Sequence, residues 1–219
     1  MEKARTIHIK GMGTASMQPD SVTITMKLTA KHKEYAYVMQ IGSKKVELLR
    51  EAIVNAGFEA DELKTVKFSI DSDYESEEYN EFGRTRYQNV FVGYKYRHTL
   101  KLSFDLDREK ITKAMTAIEK CTAKPEASIA FTVKDVRIMR DRIMESAAED
   151  AHRKANVLCK ASGVKLGKLL HIEYSWSKVE FDYIDIPVWM GKGEQESPAQ
   201  IQPDNVEGED TVDFIWEII

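Results

Sequence analysis

Glu149 and His152 stand three residues apart, the spacing with which paired helices hold a di-iron centre. Such a centre also needs a second motif of the same kind and two further Glu-bearing helices. The sequence supplies neither, so no metal is expected there. Asp71, Asp73, Glu75 and Glu77 alternate along one side of an extended strand, an oxygen-rich row of the sort calcium takes. The twelve-residue calcium-loop pattern fails, because Ser76 stands at the turn glycine and Phe82 at the final ligand position; a solvated hairpin tip is the expectation. Gly11-x-Gly13 follows a strand as a dinucleotide loop would, yet Ser16 occupies the third glycine position. A second strand then follows, where a pyrophosphate needs a helix N-terminus. The glycines therefore read as a turn. His8, His32, His98 and His171 fall in separate elements, and His98 shares a face with Leu100, which suits a packed histidine. No nucleophile elbow, phosphate loop or zinc spacing occurs. No catalytic, cofactor-binding or metal-binding residue is expected.

The elements that would carry any site are legible from periodicity. Val22, Ile24, Met26, Leu28 and Ala30 alternate with Ser21, Thr23, Thr25, Lys27 and Thr29, a strand with one dry and one wet face. Ile7 and Ile9 mark a shorter strand before it, and Gly11, Gly13 and Pro19-Asp20 punctuate the connection. Tyr35, Val38, Met39, Val46, Leu49 and Ile53 form a helical stripe over 34–56, weakened at Gly42 and stopped at Gly57. Val66, Phe68 and Ile70 share a strand face. Tyr94, Tyr96, His98, Leu100, Leu102 and Phe104 share another over 90–104, with Lys95, Arg97, Thr99, Lys101 and Ser103 opposite. Asp107 caps a helix carrying Ile111, Met115 and Ile118. A strand with Ile129, Phe131 and Val133 leads to Asp135, which caps a long helix ending at Gly163. Along that helix Met144, Ala148, Ala151, Ala155 and Leu158 recur as one stripe, and its small residues Ala148, Ala151 and Ala155 predict very close packing. Strands with Leu170, Ile172, Tyr174 and Trp176, and with Val212, Phe214, Trp216 and Ile218, close the chain. The order β-β-α-β-β-α-β-α-β-β, with one wet face per strand, predicts an α+β fold: an antiparallel or mixed sheet with helices on one face.

At 219 residues the chain suits one domain, or two lobes divided at about residue 105. Its net charge of -4 gives no general pull toward nucleic acid or anionic membrane. The charge is uneven: residues 171–219 hold 2 Lys+Arg and 12 Asp+Glu, a net of -10, which leaves +6 for residues 1–170. An acidic part and a basic part suggest facing surfaces, within a chain or between chains; the plain alternative is an acidic, solvated loop. Cys121 and Cys159 match no metal or redox spacing and read as buried thiols. No apolar run reaches the roughly 18 residues of a membrane span, and no apolar leader opens the chain. The sequence as it stands suits a cytoplasmic protein; a periplasmic or exported one whose leader has been trimmed would read the same.

Two segments fall outside this plan and are expected to protrude as loops, 71–89 and 178–210. Both mix aromatics into polar sequence, and Tyr79, Phe82, Phe181, Tyr183 and Trp189 are the residues expected at an interface. Part of the second segment, near 183–189, suits a short strand.

Several segments together resemble the SIMPL domain, whose bacterial members include periplasmic immunogenic proteins and proteins associated with tolerance of oxidative stress. They are Gly11-Met12-Gly13 with Pro19-Asp20, Leu63-Lys64-Thr65, Gly93-Tyr94, and above all Ala147-Ala148-Glu149-Asp150-Ala151-His152-Arg153-Lys154-Ala155. Ala161-Ser162-Gly163, Leu166-Gly167-Lys168 and the closing strand from Thr211 complete the resemblance, which spans nearly the whole chain. It implies an α+β fold, and no established catalytic residue carries over from it.

The function expected is a self-associating, non-enzymatic interaction or structural module, a homo-oligomer or the partner of another protein. The alternative is a small-molecule binder or an enzyme with a pocket between the sheet and segment 178–210, using Tyr183, Asp185 and His171. The basic sheet face carries no interleaved aromatics, so nucleic acid is not the expected ligand.

Overall fold

The computed structural model describes residues 5–82, 84–174, 181–182, 185–188 and 203–219. The chain folds into two compact units. One comprises residues 1–20, 132–184 and 203–219, the other 21–131 and 185–202. The units are interleaved in sequence and not divided near residue 105, because the N-terminal strand pairs with the C-terminal one. The fold is α+β, with the strands in two sheets.

In the second unit the sheet order is β3 (Leu63–Glu81), β4 (Arg84–Asp105), β2 (Ser21–His32), β5 (Glu126–Thr132) and β8 (Asp185–Val188). β2 and β3 flank β4 antiparallel. Val22, Ile24, Met26 and Leu28 of β2 and Leu100 and Leu102 of β4 are wholly buried, as strict alternation requires when one face is dry. Helices α1 (Tyr35–Asn55) and α2 (Arg108–Lys120) cover that face through Leu49, Ile53, Ile111, Ala114, Met115 and Ile118. Each such aliphatic side chain stabilises by about 1.5–3 kcal/mol on burial. Asp107 caps α2 as expected, accepting from the N–H groups of Glu109 (2.8 Å) and Lys110 (3.2 Å). Gly42, which costs helix propensity, lies under the ring of Tyr96; a Cβ there would come within 2.5 Å of its Cζ.

In the first unit the sheet order is β1 (Thr6–Met17), β9 (Val206–Ile218) and β6 (Leu166–Glu173), with β7 (Phe181–Asp182) also paired to β9. All of these ladders are antiparallel. Helix α3 (Val136–Ala161) packs on β1 and β9. Asp135 caps it by accepting from Arg137 N–H at 3.0 Å, and Gly163 follows it at φ +70°.

Several expectations are corrected. Segment 71–89 is not a loop: β3 and β4 run through it as one long hairpin. Parts of 178–210 are strand as well, in β7, β8 and the start of β9. Gly11 and Gly13 lie inside β1 and not in a connection. The buried stripe of α3 is Met139, Ile143, Ala147, Ala151, Ala155 and Cys159, a single run of i,i+4 steps. Met144 and Ala148 lie on the exposed side, and Leu158 is 49% exposed. Val66 is also exposed. A bulge between Thr65 and Lys67 reverses the alternation, so Leu63 and Phe68 share the face that Val66 leaves.

Candidate interaction surfaces

The polar groups that could do chemistry are held by structural partners. Asp150 of α3 accepts from the Met12 N–H at 2.9 Å and binds Lys154 Nζ at 2.6 Å. Lys154, the Met12 amide and then Arg153 hold its carboxyl at about 2, below the ordinary 3.8. Ser146 Oγ accepts from Thr14 N–H, and Lys154 Nζ donates to the Lys10 carbonyl. Ser146, Asp150 and Lys154 are spaced by four, so one row of α3 side chains saturates part of the outer margin of β1. The neighbouring row, Ile143, Ala147 and Ala151, rests on the strand itself. A Cβ on Gly13 would fall on the Ile143 carbonyl oxygen and 2.8 Å from Ala147 N; one on Gly11 would fall on the Ala147 oxygen and 2.8 Å from Ala151 Cβ. The glycines are there for backbone-to-helix contact.

The sequence candidates lie outside this row and do not gather at one site. Glu149 and His152 are exposed, and Asn156 Nδ2 contacts the His152 ring and carbonyl. Among the described residues no three His, Cys, Asp or Glu side chains group as metal ligands. The carboxylate row 71–77 does not stay on one face. A register shift between Asp73 and Tyr74 breaks it, leaving Asp71 bound to Arg97 at 2.5 Å and Asp73 to Lys31 at 2.6 Å. His98 is half-buried, as a packed histidine should be. It bonds Thr65 Oγ1 through Nε2 and Tyr96 OH through Nδ1, each at 2.8 Å. Burial, then the charge of Arg50, lowers its pKa below 6.5. His171 is exposed on β6. Tyr183 and Trp189 lie outside the described residues, as do the side chains of Phe181 and Asp185. An open groove of about 670 Å³ runs between α1 and α2, floored by Ala52, Ala56 and Ala117 and edged by Lys113 and Lys120. Nothing polar and buried converges on it.

The exposed apolar surface lies elsewhere. β2 ends its pairing with β4 at His32 opposite Tyr94. Beyond that point β3 and β4 continue as a two-stranded ribbon, from Tyr74 opposite Phe91 to Glu81 opposite Arg84. Eight residues of strand extend it by about 27 Å. The register puts Tyr74, Phe91 and Tyr87 on one face, and they are 57%, 47% and 68% exposed. Edge-on ring contacts run from Tyr35 to Tyr94 (5.5 Å), on to Phe91 (5.3 Å) and to Tyr74 (5.8 Å). Tyr79 sits on the opposite face among Glu75, Glu77 and Arg86, and Phe82 at the tip is fully exposed. Sequence reasoning picked out Tyr79 and Phe82 but missed the face formed by Tyr74, Tyr87 and Phe91. The signal was available: matched alternation on both sides of Phe82-Gly83.

The sequence pattern of the family described as SIMPL, protein of unknown function (DUF541), matches residues 7–216. No curated protein matches the chain. A crystal structure of a hydrolase from Listeria innocua aligns over 94% of this chain and 92% of its own, at 8% identity and a TM-score of 0.23.

Proposed function

The chain belongs to the SIMPL family, and from that premise we propose that it is a non-enzymatic interaction module that self-associates through the β3–β4 ribbon. One observation carries the reading: a two-stranded ribbon reaching past its sheet with an aromatic face in water. A two-stranded hairpin is marginal by itself, and contiguous apolar surface of this kind marks a contact site. The rest of the polar chemistry points the same way, since Asp150, Asp71, Asp73 and His98 are engaged in holding strands and helices together.

Burying Tyr74, Tyr87 and Phe91 of both copies at about 2 kcal/mol each would gain roughly 12 kcal/mol. Association costs on the order of 4–15 kcal/mol before any net affinity appears. The ribbon contact alone is therefore weak, and self-association is expected in the micromolar range or with the help of a second contact.

The test is native mass by light scattering as protein concentration rises. The wild-type chain should exceed its 25.1 kDa protomer mass. The triple variant Tyr74→Ser, Tyr87→Ser, Phe91→Ser should fall toward it with an unchanged far-UV spectrum. A wild-type monomer at several hundred micromolar would refute the reading.

A further inference from the structure

The side of each sheet opposite its packed helices carries mainly one sign of charge, basic in one unit and acidic in the other. On the face made by β2, β4 and β3, rows of side chains run across the strands: Thr25–Lys101–Lys64, Lys27–Thr99–Lys67, Thr29–Arg97–Ser69 and Lys31–Lys95–Asp71. Three of these cations are answered by acids, Lys31 by Asp73, Arg97 by Asp71 and Lys27 by Glu126. Lys64, Lys67, Lys95 and Lys101 have no ion pair among the described residues. Lys64 stands directly opposite Lys101, and Lys31 directly opposite Lys95. Like charges facing each other across a ladder destabilise it, so this face has free energy to regain from an anionic partner.

The matching surface is on the other sheet. Glu207, Glu209, Asp213 and Glu217 point outward from β9, its central strand, while Val206, Gly208, Val212, Phe214 and Trp216 point inward. Thr6, Lys10, Thr14 and Ser16 of β1 flank those four carboxylates in register, and only Lys10 is cationic, 3.7 Å from Asp213. The carboxylates span ten residues of strand, about 34 Å, and the basic rows about 20 Å.

We propose that the occupant of the basic face is a second copy of this chain, seated by its acidic β9 face. This rests on the self-association reading and supplies the second contact that the ribbon needs. A flat projection of three strands by ten residues is only about 500 Å², short of the roughly 800 Å² per partner that a stable complex buries. Charge here sets orientation and encounter rate, and the aromatic ribbon adds the apolar area. Two different faces joining build a closed ring or an open chain, or a two-fold dimer where both pairs of faces meet at once.

Charge reversal tests it. One variant carries Lys64→Glu, Lys67→Glu and Lys101→Glu; a second carries Glu209→Lys, Asp213→Lys and Glu217→Lys; a third carries all six. Each is checked for an unchanged circular dichroism spectrum, then weighed by light scattering at 50 and 500 mM salt. The expected result is an oligomer for the wild type that weakens at least tenfold at high salt, as surface charge is screened. Each single-face variant should associate at least tenfold more weakly than the wild type, a 1:1 mixture of the two should recover association, and the six-fold variant should regain the wild-type mass. An oligomer indifferent to salt and to either reversal overturns this contact while leaving ribbon-driven association standing. A basic face that binds a DNA duplex with no change in protein mass on reversal assigns the face to nucleic acid and overturns it too. A wild-type chain that is monomeric throughout overturns both readings.

Discussion

Gly13→Ala is the most direct probe of how α3 is seated. The added Cβ would fall on the Ile143 carbonyl oxygen and 2.8 Å from the Ala147 nitrogen, where a carbon needs about 3.5 Å. Neither neighbour is a flexible side-chain end; both are helix backbone. The helix must withdraw by something like 1 Å, and a gap of that size forfeits a quarter to a half of each dispersion contact along the seam. The Thr14 N–H to Ser146 bond, already 3.2 Å long, would break. Overpacking costs about 1–3 kcal/mol, and one lost hydrogen bond about 1 kcal/mol. Against this, alanine in an extended strand regains roughly 0.5–1 kcal/mol of chain entropy relative to glycine. The net is a destabilisation of about 2–3 kcal/mol, which lowers Tm by about 5–10 °C in a chain of this size. Thermal melts followed by circular dichroism measure it. Ala148→Leu, on the exposed side of the same helix, is the control and should stay within about 2 °C. A Gly13→Ala protein that melts with the wild type, or an Ala148→Leu protein that melts far below it, would show that the helix is not seated on this strand as described.

Two titrations follow from the same geometry. Asp150 is held at about 2 against 3.8 in the free side chain, so its contribution is complete above pH 3.8 and is lost as pH falls from there toward 2. Asp150→Asn should therefore melt below the wild type at pH 7, and the two curves should converge near pH 2; a gap that persists unchanged at pH 2 contradicts the assignment. The His98 imidazole, wedged between Tyr96 and Thr65, should titrate below 6.5 by proton NMR, because burial disfavours its charged form. Its depressed pKa removes stability as pH drops through 6.5, and His98→Gln should flatten stability between pH 7 and 5. An imidazole titrating above 6.5 would place a carboxylate beside it that the fold does not show.

What could be read from the residues depended on how local the cause was. β2 was legible because Val22 to Ala30 alternate without interruption. The caps at Asp107 and Asp135 were legible because each acts on the two or three amides that follow it. The phase of α3 was not. The stripe through Met144, Ala148 and Leu158 and the one through Ile143, Ala147 and Cys159 share Ala151 and Ala155. Contact with β1 and β9, Gly11 and Gly13 among them and 130 or more residues away in sequence, selects the second. The interleaved units were hidden for a like reason, since Thr6 pairs with Glu217 across the whole length of the chain. The ribbon was misread as a loop because its strands are rich in Glu and Asn, which strands ordinarily avoid. The bulge after Thr65 and the shift at Asp73 also scramble the alternation that periodicity relies on. Of the residues weighed for chemistry, Asp71, Asp73 and His98 tie strands together, while Glu149, His152 and His171 are exposed.

The row Ser146, Asp150 and Lys154 has one more effect. By occupying the Met12 and Thr14 amides and the Lys10 carbonyl, it closes the middle of the flank that β1 would otherwise offer. The opposite flank is β6, where Leu170 and Ile172 lie half in water and no strand among the described residues continues the ladder. Among the described residues, then, the ladder of this sheet is partly closed at β1 and open at β6, the flank where a further strand could add.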